Sequence, residues 1–224
     1  MPAASTATVA TSRRPRRPDD VPPDPSLDLS PTKGDRTRQA LLAAAVVRFA
    51  REGYRGTSVA DVCRDAGLST TASYPYFANK EALFVASVDE DVAGLIDDAV
   101  SFAAIDENPD AWGGVMMLAL IEQMPAHPLA GRILRGLEPD FTMRLLQIPA
   151  LQELRKTVTE LIRDQQVAGG VRPDIDAAQT ANGMVVIVIS LLMATAQTGA
   201  DAAGYRQVAA DVESVLQAAT RPPT

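Results

Sequence analysis

The sequence predicts an all-α protein, with a small three-helix unit near the N-terminus feeding a larger helical body. Three observations carry this. Apolar residues recur at spacings of three and four through most of residues 35–219, and strand-like runs are scarce. Prolines and glycines divide those stretches into helix-length pieces. The composition is 46% hydrophobic with only four Tyr, five Phe and one Trp, so the core must be made of Ala, Leu and Val.

Residues 1–32 form an arm outside that plan. Its first 31 residues hold seven prolines, a basic cluster at Arg13, Arg14, Arg16 and Arg17, and then Asp19, Asp20, Asp24 and Asp28. It carries too little apolar surface to offset the entropy of ordering. No apolar stretch follows the basic cluster, so a secretory signal is not expected. The four arginines are suited to a DNA backbone or minor groove, or belong to a tail with no role.

A first long helix is expected over residues 35–52. Leu41, Leu42, Ala45, Val46 and Phe49 make its apolar stripe, and Arg36, Arg38, Arg48 and Arg51 lie outside it. Gly53 and Gly56 flank Tyr54 and let the chain turn back. Ser58 and Asp61 have capping-box spacing for a second helix carrying Val59, Val62 and Ala66, which Gly67 ends. Ser69 is placed to cap a third helix over about 70–77, and Asn79 a fourth from Lys80. Two short helices around a Gly turn have the layout of a helix-turn-helix, with the motif at about 58–77. Thr70, Thr71, Ser73, Tyr74 and Tyr76 supply hydroxyl and aromatic groups suited to phosphates and base edges. A surface helical hairpin with polar decoration fits the same spacing.

From Arg36 to about Phe84 the chain resembles the TetR family of bacterial transcriptional regulators. The resemblance rests on Phe49-Ala50-Arg51-Glu52-Gly53-Tyr54, Gly56-Thr57-Ser58-Val59, Ala66-Gly67-Leu68-Ser69, Tyr74, Phe77 and Asn79-Lys80-Glu81-Ala82-Leu83. It implies a helix-turn-helix DNA-binding domain over 33–82 and an effector-binding and dimerisation domain over 83–224. Lys33, Arg36, Ser58, Thr70, Thr71, Ser73, Tyr74, Tyr76 and Lys80 are the expected DNA contacts. The chain departs from the family pattern at Ala72-Ser73 and at Pro75. A proline there removes a backbone hydrogen bond to Thr71 and disfavours helical dihedrals at Tyr74, so the reading helix is expected to be short, kinked or finished as a tight turn.

A connecting helix follows over 80–104, its Asp89-Glu90-Asp91 expected to face solvent. Further helices are expected over 109–124, 127–136, 139–167, 174–198 and 202–219, with Pro149 kinking or splitting the third and Asp174 capping the fourth. The apolar segment 183–196 is too short for a membrane span of about 20 residues. It is expected to be buried by its own domain and by a second copy, the internal core of a monomer being the other reading. In a TetR-like homodimer the last two helices pair, which makes Val185, Ile187, Ile189, Leu192, Val208, Val212, Val215 and Leu216 the expected interface. Trp112, Met116, Met117, Leu120 and Met124, with Phe102, Phe141, Met143 and Met184, are candidates for a pocket taking a small, mainly apolar effector, or are plain core.

The net charge of −7 is unevenly placed: residues 1–80 balance to +4 and residues 81–224 to −11. Phosphate attraction acts over a Debye length of roughly 8–10 Å, so a basic head can meet double-stranded DNA while an acidic body stays clear. The single Cys63 excludes an internal disulfide and suits a cytoplasmic protein. His127, the lone histidine, reads as a helix-start residue. No phosphate-cradling loop, nucleophile elbow or metal spacing appears, so no enzyme, cofactor or metal is expected. The reading is a dimeric, ligand-responsive repressor at a near-palindromic operator. The alternative is a helical adaptor, or a family member that has lost operator binding.

Overall fold

The computed structural model describes residues 32–104, 112–198 and 202–222, apart from the side chains of 112–114, 143 and 202–205. The N-terminal arm to residue 31 and the side chains of Trp112 and Met143 therefore lie outside the described residues. Helices without strands make up what is described.

Helix α1 spans Lys33–Gly56, two residues earlier than expected, because Thr32 and Asp35 form a capping box. The Thr32 hydroxyl accepts the Asp35 N–H at 3.1 Å, and the Asp35 carboxylate accepts that of Thr32 at 3.0 Å. Gly53 breaks the helix with φ of +75°, a left-handed value natural to glycine. Helix α2, Val59–Asp65, starts on the Ser58–Asp61 capping box read from the sequence and ends before Gly67.

The third expected helix is the main local correction. Only a single 3-10 turn, Thr70–Ala72, forms. The Ser73 carbonyl then accepts the N–H groups of both Tyr76 and Phe77 at 3.0 Å, closing a tight turn. Pro75 has no N–H to offer Thr71, so the turn cannot propagate as an α-helix. Ser69 makes no side-chain cap; its hydroxyl lies 3.0 Å from that of Thr71. Asn79 does cap the next helix, α3, Lys80–Ala103, accepting the Ala82 N–H at 2.8 Å.

The body comprises α4, Trp112–Gln123; a 3-10 turn, Met124–Ala126; α5, Pro128–Leu134; α6, Pro139–Leu145; α7, Pro149–Ala168; α8, Ala177–Thr198; and α9, Ala202–Thr220. Pro128, Pro139 and Pro149 each open a helix, where a missing N–H costs nothing. Pro149 thus divides the expected 139–167 helix in two. Asp174 does not cap α8. It forms a two-bond pair with Arg172 at 2.6 and 2.5 Å, and Asp176 takes the Gln179 N–H instead.

Helices α5 and α7 have no side-chain cap of their own, since His127 and Ile148 supply none. The connecting helix supplies it from outside. Asp91 of α3 accepts the N–H groups of Leu129 and Ala130 at 2.9 and 2.7 Å, and Asp89 accepts that of Ala150 at 2.8 Å. Each such cap contributes about 1 kcal/mol. The acidic middle of α3 was expected to face solvent; only Glu90 does. Burial pushes the Asp91 carboxyl up from its ordinary range, against the two N–H groups and His127, which pull it down.

His127 does sit at the start of α5, and it has partners the sequence did not reveal. Its Nδ1 lies 3.5 Å from Asp91 and its Nε2 3.0 Å from Asp98. Gly94 lets the ring come this close, for a Cβ there would stand 2.9 Å from Cε1.

One core runs without a break from Leu41 in α1 to Ala209 in α9. Leu41, Leu42, Ala45, Phe49, Leu83 and Phe84 are fully buried in the head, and Cys63 is sealed beside Val62. By length and composition α8 would pass for a membrane span, with mean hydropathy 1.7 over its most apolar window, which corrects the expectation that it is too short. In this fold it packs along α7 and α5, with Val185 and Leu192 buried.

Candidate functional site

The head presents an exposed patch made by α1's first turn and the turn after α2. Lys33, Arg36, Thr70 and Thr71 are exposed, and so is Tyr74, at 67%. Pro75 explains that exposure, because the tight turn ejects Tyr74 while drawing Ser73 and Phe77 inward. Tyr76 ties the two parts together, its hydroxyl lying 3.5 Å from where a Gly34 Cβ would stand. Positive charge from α1 therefore adjoins the hydroxyl-rich turn.

Three of the expected contacts are engaged elsewhere. Ser73 is 1% exposed and donates its hydroxyl to the Thr70 carbonyl at 3.0 Å, so it braces the turn from within. The Ser58 hydroxyl is held by Asp61 at 2.6 Å. Lys80 is half-buried with its ammonium 4.4 Å from the Tyr54 ring centroid.

Behind this patch the head is fastened to the body. Phe49, Tyr54 and Phe84 from the head and Phe141 from α6 form an aromatic cluster, with Tyr54 and Phe84 at 4.8 and 4.5 Å from Phe141. Beside it, Glu138 is 7% exposed and accepts the Arg132 guanidinium at 2.8 Å and the Tyr54 backbone N–H at 3.0 Å. Arg132 also reaches the Ala50 carbonyl at 3.4 Å. Only glycine fits at residue 53, since a Cβ would meet Arg132 at 2.5 Å and Glu138 at 2.7 Å. Arg55–Asp140 and Arg144–Glu81 complete the junction as exposed pairs of little energetic weight.

The body encloses a cavity of about 360 Å³ walled by α3 to α9. Met116, Leu120 and Met184 line it, as the sequence suggested. Met117 is instead packed in the core, Phe102 is 43% exposed, and Phe141 serves the aromatic cluster and a smaller hollow of about 170 Å³. The wall that sequence reasoning missed comes from Val92, Leu95 and Ile96 on α3 and Leu151, Leu154 and Val158 on α7. Their spacing of three and four was a readable stripe, but nothing marked it as facing empty space.

The expected interface also divides. Val185, Ile189, Leu192 and Leu216 line the cavity of their own chain, Val185 and Leu192 buried and Ile189 and Leu216 half-buried. Val208 and Val212 are half-buried. Ile187 and Val215 are exposed at 41% and 63%, and Val186 joins them at 38%. On α8, Val186, Ile187, Ser190 and Ala194 fall on one open face. No group of three His, Cys, Asp or Glu placed to hold a metal occurs among the described residues.

Residues 41–87 match the family model described as bacterial regulatory proteins, tetR family. The chain is 27% identical over 174 residues to the HTH-type transcriptional regulator UidR of Escherichia coli strain K12, covering 74% of this chain and 85% of UidR. It is 38% identical over 76 residues to the HTH-type transcriptional repressor KstR2 of Rhodococcus jostii strain RHA1, covering 34% of each. Among solved structures, a TetR-family transcriptional regulator from Mesorhizobium loti superposes with TM-score 0.65 at 19% identity, over 85% of this chain and all of that one. The transcriptional regulator FadR from Bacillus subtilis, in complex with stearoyl-CoA, gives 0.61 at 13%, over 81% and 98%. At such identities the structural likeness speaks for the fold.

Proposed function

Because this chain belongs to the TetR family of bacterial transcriptional regulators, we propose that it is a cytoplasmic, ligand-responsive repressor that grips a near-palindromic operator as a homodimer. The observation that carries this reading is α3. It places Leu83 and Phe84 in the head core and Val92, Leu95, Ile96 and Val100 in the cavity wall. A molecule that changes the shape of the cavity therefore acts on the helix that holds the head.

Lys33 and Arg36 contact phosphate, and Thr70, Thr71, Tyr74 and Tyr76 meet the groove. Two copies joined over the open faces of α8 and α9 set the spacing of two heads across successive turns of DNA. The effector must bind the released state better than the DNA-fitting one, and the clasp of Arg132 and Glu138 on α1 gives that difference a path to the head. The repressor KstR2, alike over 76 residues, supports repression rather than activation.

Titration of the full chain against the DNA upstream of its own gene tests the reading. Affinity above that for random duplex, falling steeply with salt, is expected. Equal affinity for random duplex and a flat salt dependence would mark it instead as an adaptor or a family member without operator binding.

A further inference from the structure

The cavity wall is chemically one-sided. Among the described residues that line it, Glu213 alone carries a charge, and Thr157, Gln217 and Thr220 alone are otherwise polar. Glu213, Gln217 and Thr220 stand four and three residues apart, so they form one polar strip along α9. Gln217 donates its amide to the Glu213 carboxylate at 2.9 Å, which holds that carboxylate on the strip.

Among the described residues no basic side chain lines the wall. Arg155 of α7 donates to the carbonyls of Leu146 and Leu151, Lys156 pairs with Glu153, and Arg172 with Asp174. Nor do the segments 105–111 and 199–201 contain any Lys, Arg or His. A carboxylate entering this cavity loses its water, finds no cation and meets the Glu213 charge. A protonated amine on an apolar skeleton finds the opposite: aliphatic walls for its body and a charge-assisted hydrogen bond for its head.

We propose that the effector is a lipophilic amine whose cationic head pairs with Glu213, and that fatty acids and other carboxylates are excluded. The proposal rests on the reading of this cavity as the effector site. It separates this chain from what the stearoyl-CoA complex of its structural neighbour would suggest.

Calorimetric titration of the full chain with decylamine, decanol and decanoate, below their micelle-forming concentrations, tests it. Decylamine should bind most tightly and decanoate at least about tenfold more weakly, the scale of one lost charge-assisted bond. Glu213→Gln should remove the advantage of decylamine over decanol while leaving decanol bound. Val188→Trp, or Ile189→Phe should the first not fold, fills the cavity and should abolish binding of both. Decanoate binding as tightly as decylamine, no decylamine binding, an amine preference surviving Glu213→Gln, or binding surviving the filled cavity would each overturn the proposal. Operator affinity is read separately: amine-selective binding with no effect on DNA would sink the ligand-response reading and leave the cavity's selectivity standing.

Discussion

The carboxylate of Glu138 in the body accepts the backbone N–H of Tyr54 in the head at 3.0 Å, across 84 positions of sequence. That bond, with the Arg132 pair behind it, makes the end of α1 a place where two parts of the molecule share hydrogen bonds. Glu138→Ala leaves the Arg132 guanidinium without its carboxylate and orphans the Tyr54 N–H. A loss of about 3 kcal/mol is expected in urea melts. Unchanged stability would mean that the clasp carries no weight.

Gly53→Ala attacks the same clasp from the other side. The substitution forces an L-residue into a left-handed backbone and drives a Cβ against Arg132 and Glu138. It should cost about 2 kcal/mol or more of stability. Its operator affinity should fall as well, because α1 must shift to make room.

Neighbouring residues in the reading turn should behave oppositely. Tyr74→Ala should weaken operator binding by about 1–3 kcal/mol with melting temperature unchanged. Ser73→Ala removes a buried hydroxyl donated to Thr70 and should lower stability by about 1 kcal/mol, leaving the salt slope of DNA binding as it was. Reversal of the two phenotypes would show the turn to be inverted.

Acid should uncap α2. The Ser58 hydroxyl, then Arg64 and the Ser58 N–H, hold the Asp61 carboxyl down to about 2 from an ordinary 3.8. A depressed carboxyl stabilises the fold above its unfolded value and loses that contribution as pH falls toward its folded one. The difference in melting temperature between the native chain and Asp61→Ala should be constant near neutrality, shrink below about pH 4 and close near pH 2. A difference that widens in acid contradicts the assignment.

The open face of α8 makes the fifth test. Ile187→Glu places a charge at the centre of the proposed pairing surface but outside the cavity. Sedimentation should show dimer for the native chain and monomer for the variant, with the helical circular dichroism signal retained. Val185→Ala should leave assembly intact and disturb only the cavity.

Much of this fold was legible because its signals are local. The capping pair at Ser58–Asp61 acts over three residues, and a proline opening a helix is written in the sequence itself. The read residues Tyr74 and Pro75 likewise belong to one short turn, and the resemblance to known regulators lies in the same stretch. What escaped is what depends on distant chain meeting distant chain. Asp89 and Asp91 look like a solvated run until the ends of α5 and α7 arrive needing acceptors. His127 looks unpartnered until α3 brings Asp91 and Asp98. Val185 and Leu192 look like interface because an apolar helix face does not say whether a cavity or a second subunit adjoins it.

The unbroken core bears on how such a head can be reused. Tyr54 and Phe84 pack on Phe141, and Gly53 is shaped around Arg132 and Glu138, so the head's lower surface is fitted to one particular body. A chimera that joins residues 33–84 to the body of another regulator would expose those rings and strand that backbone. Grafting succeeds only if the segment from Arg132 to Phe141 travels with it. The unit of exchange is therefore a discontinuous one, two stretches of chain that must be inherited together.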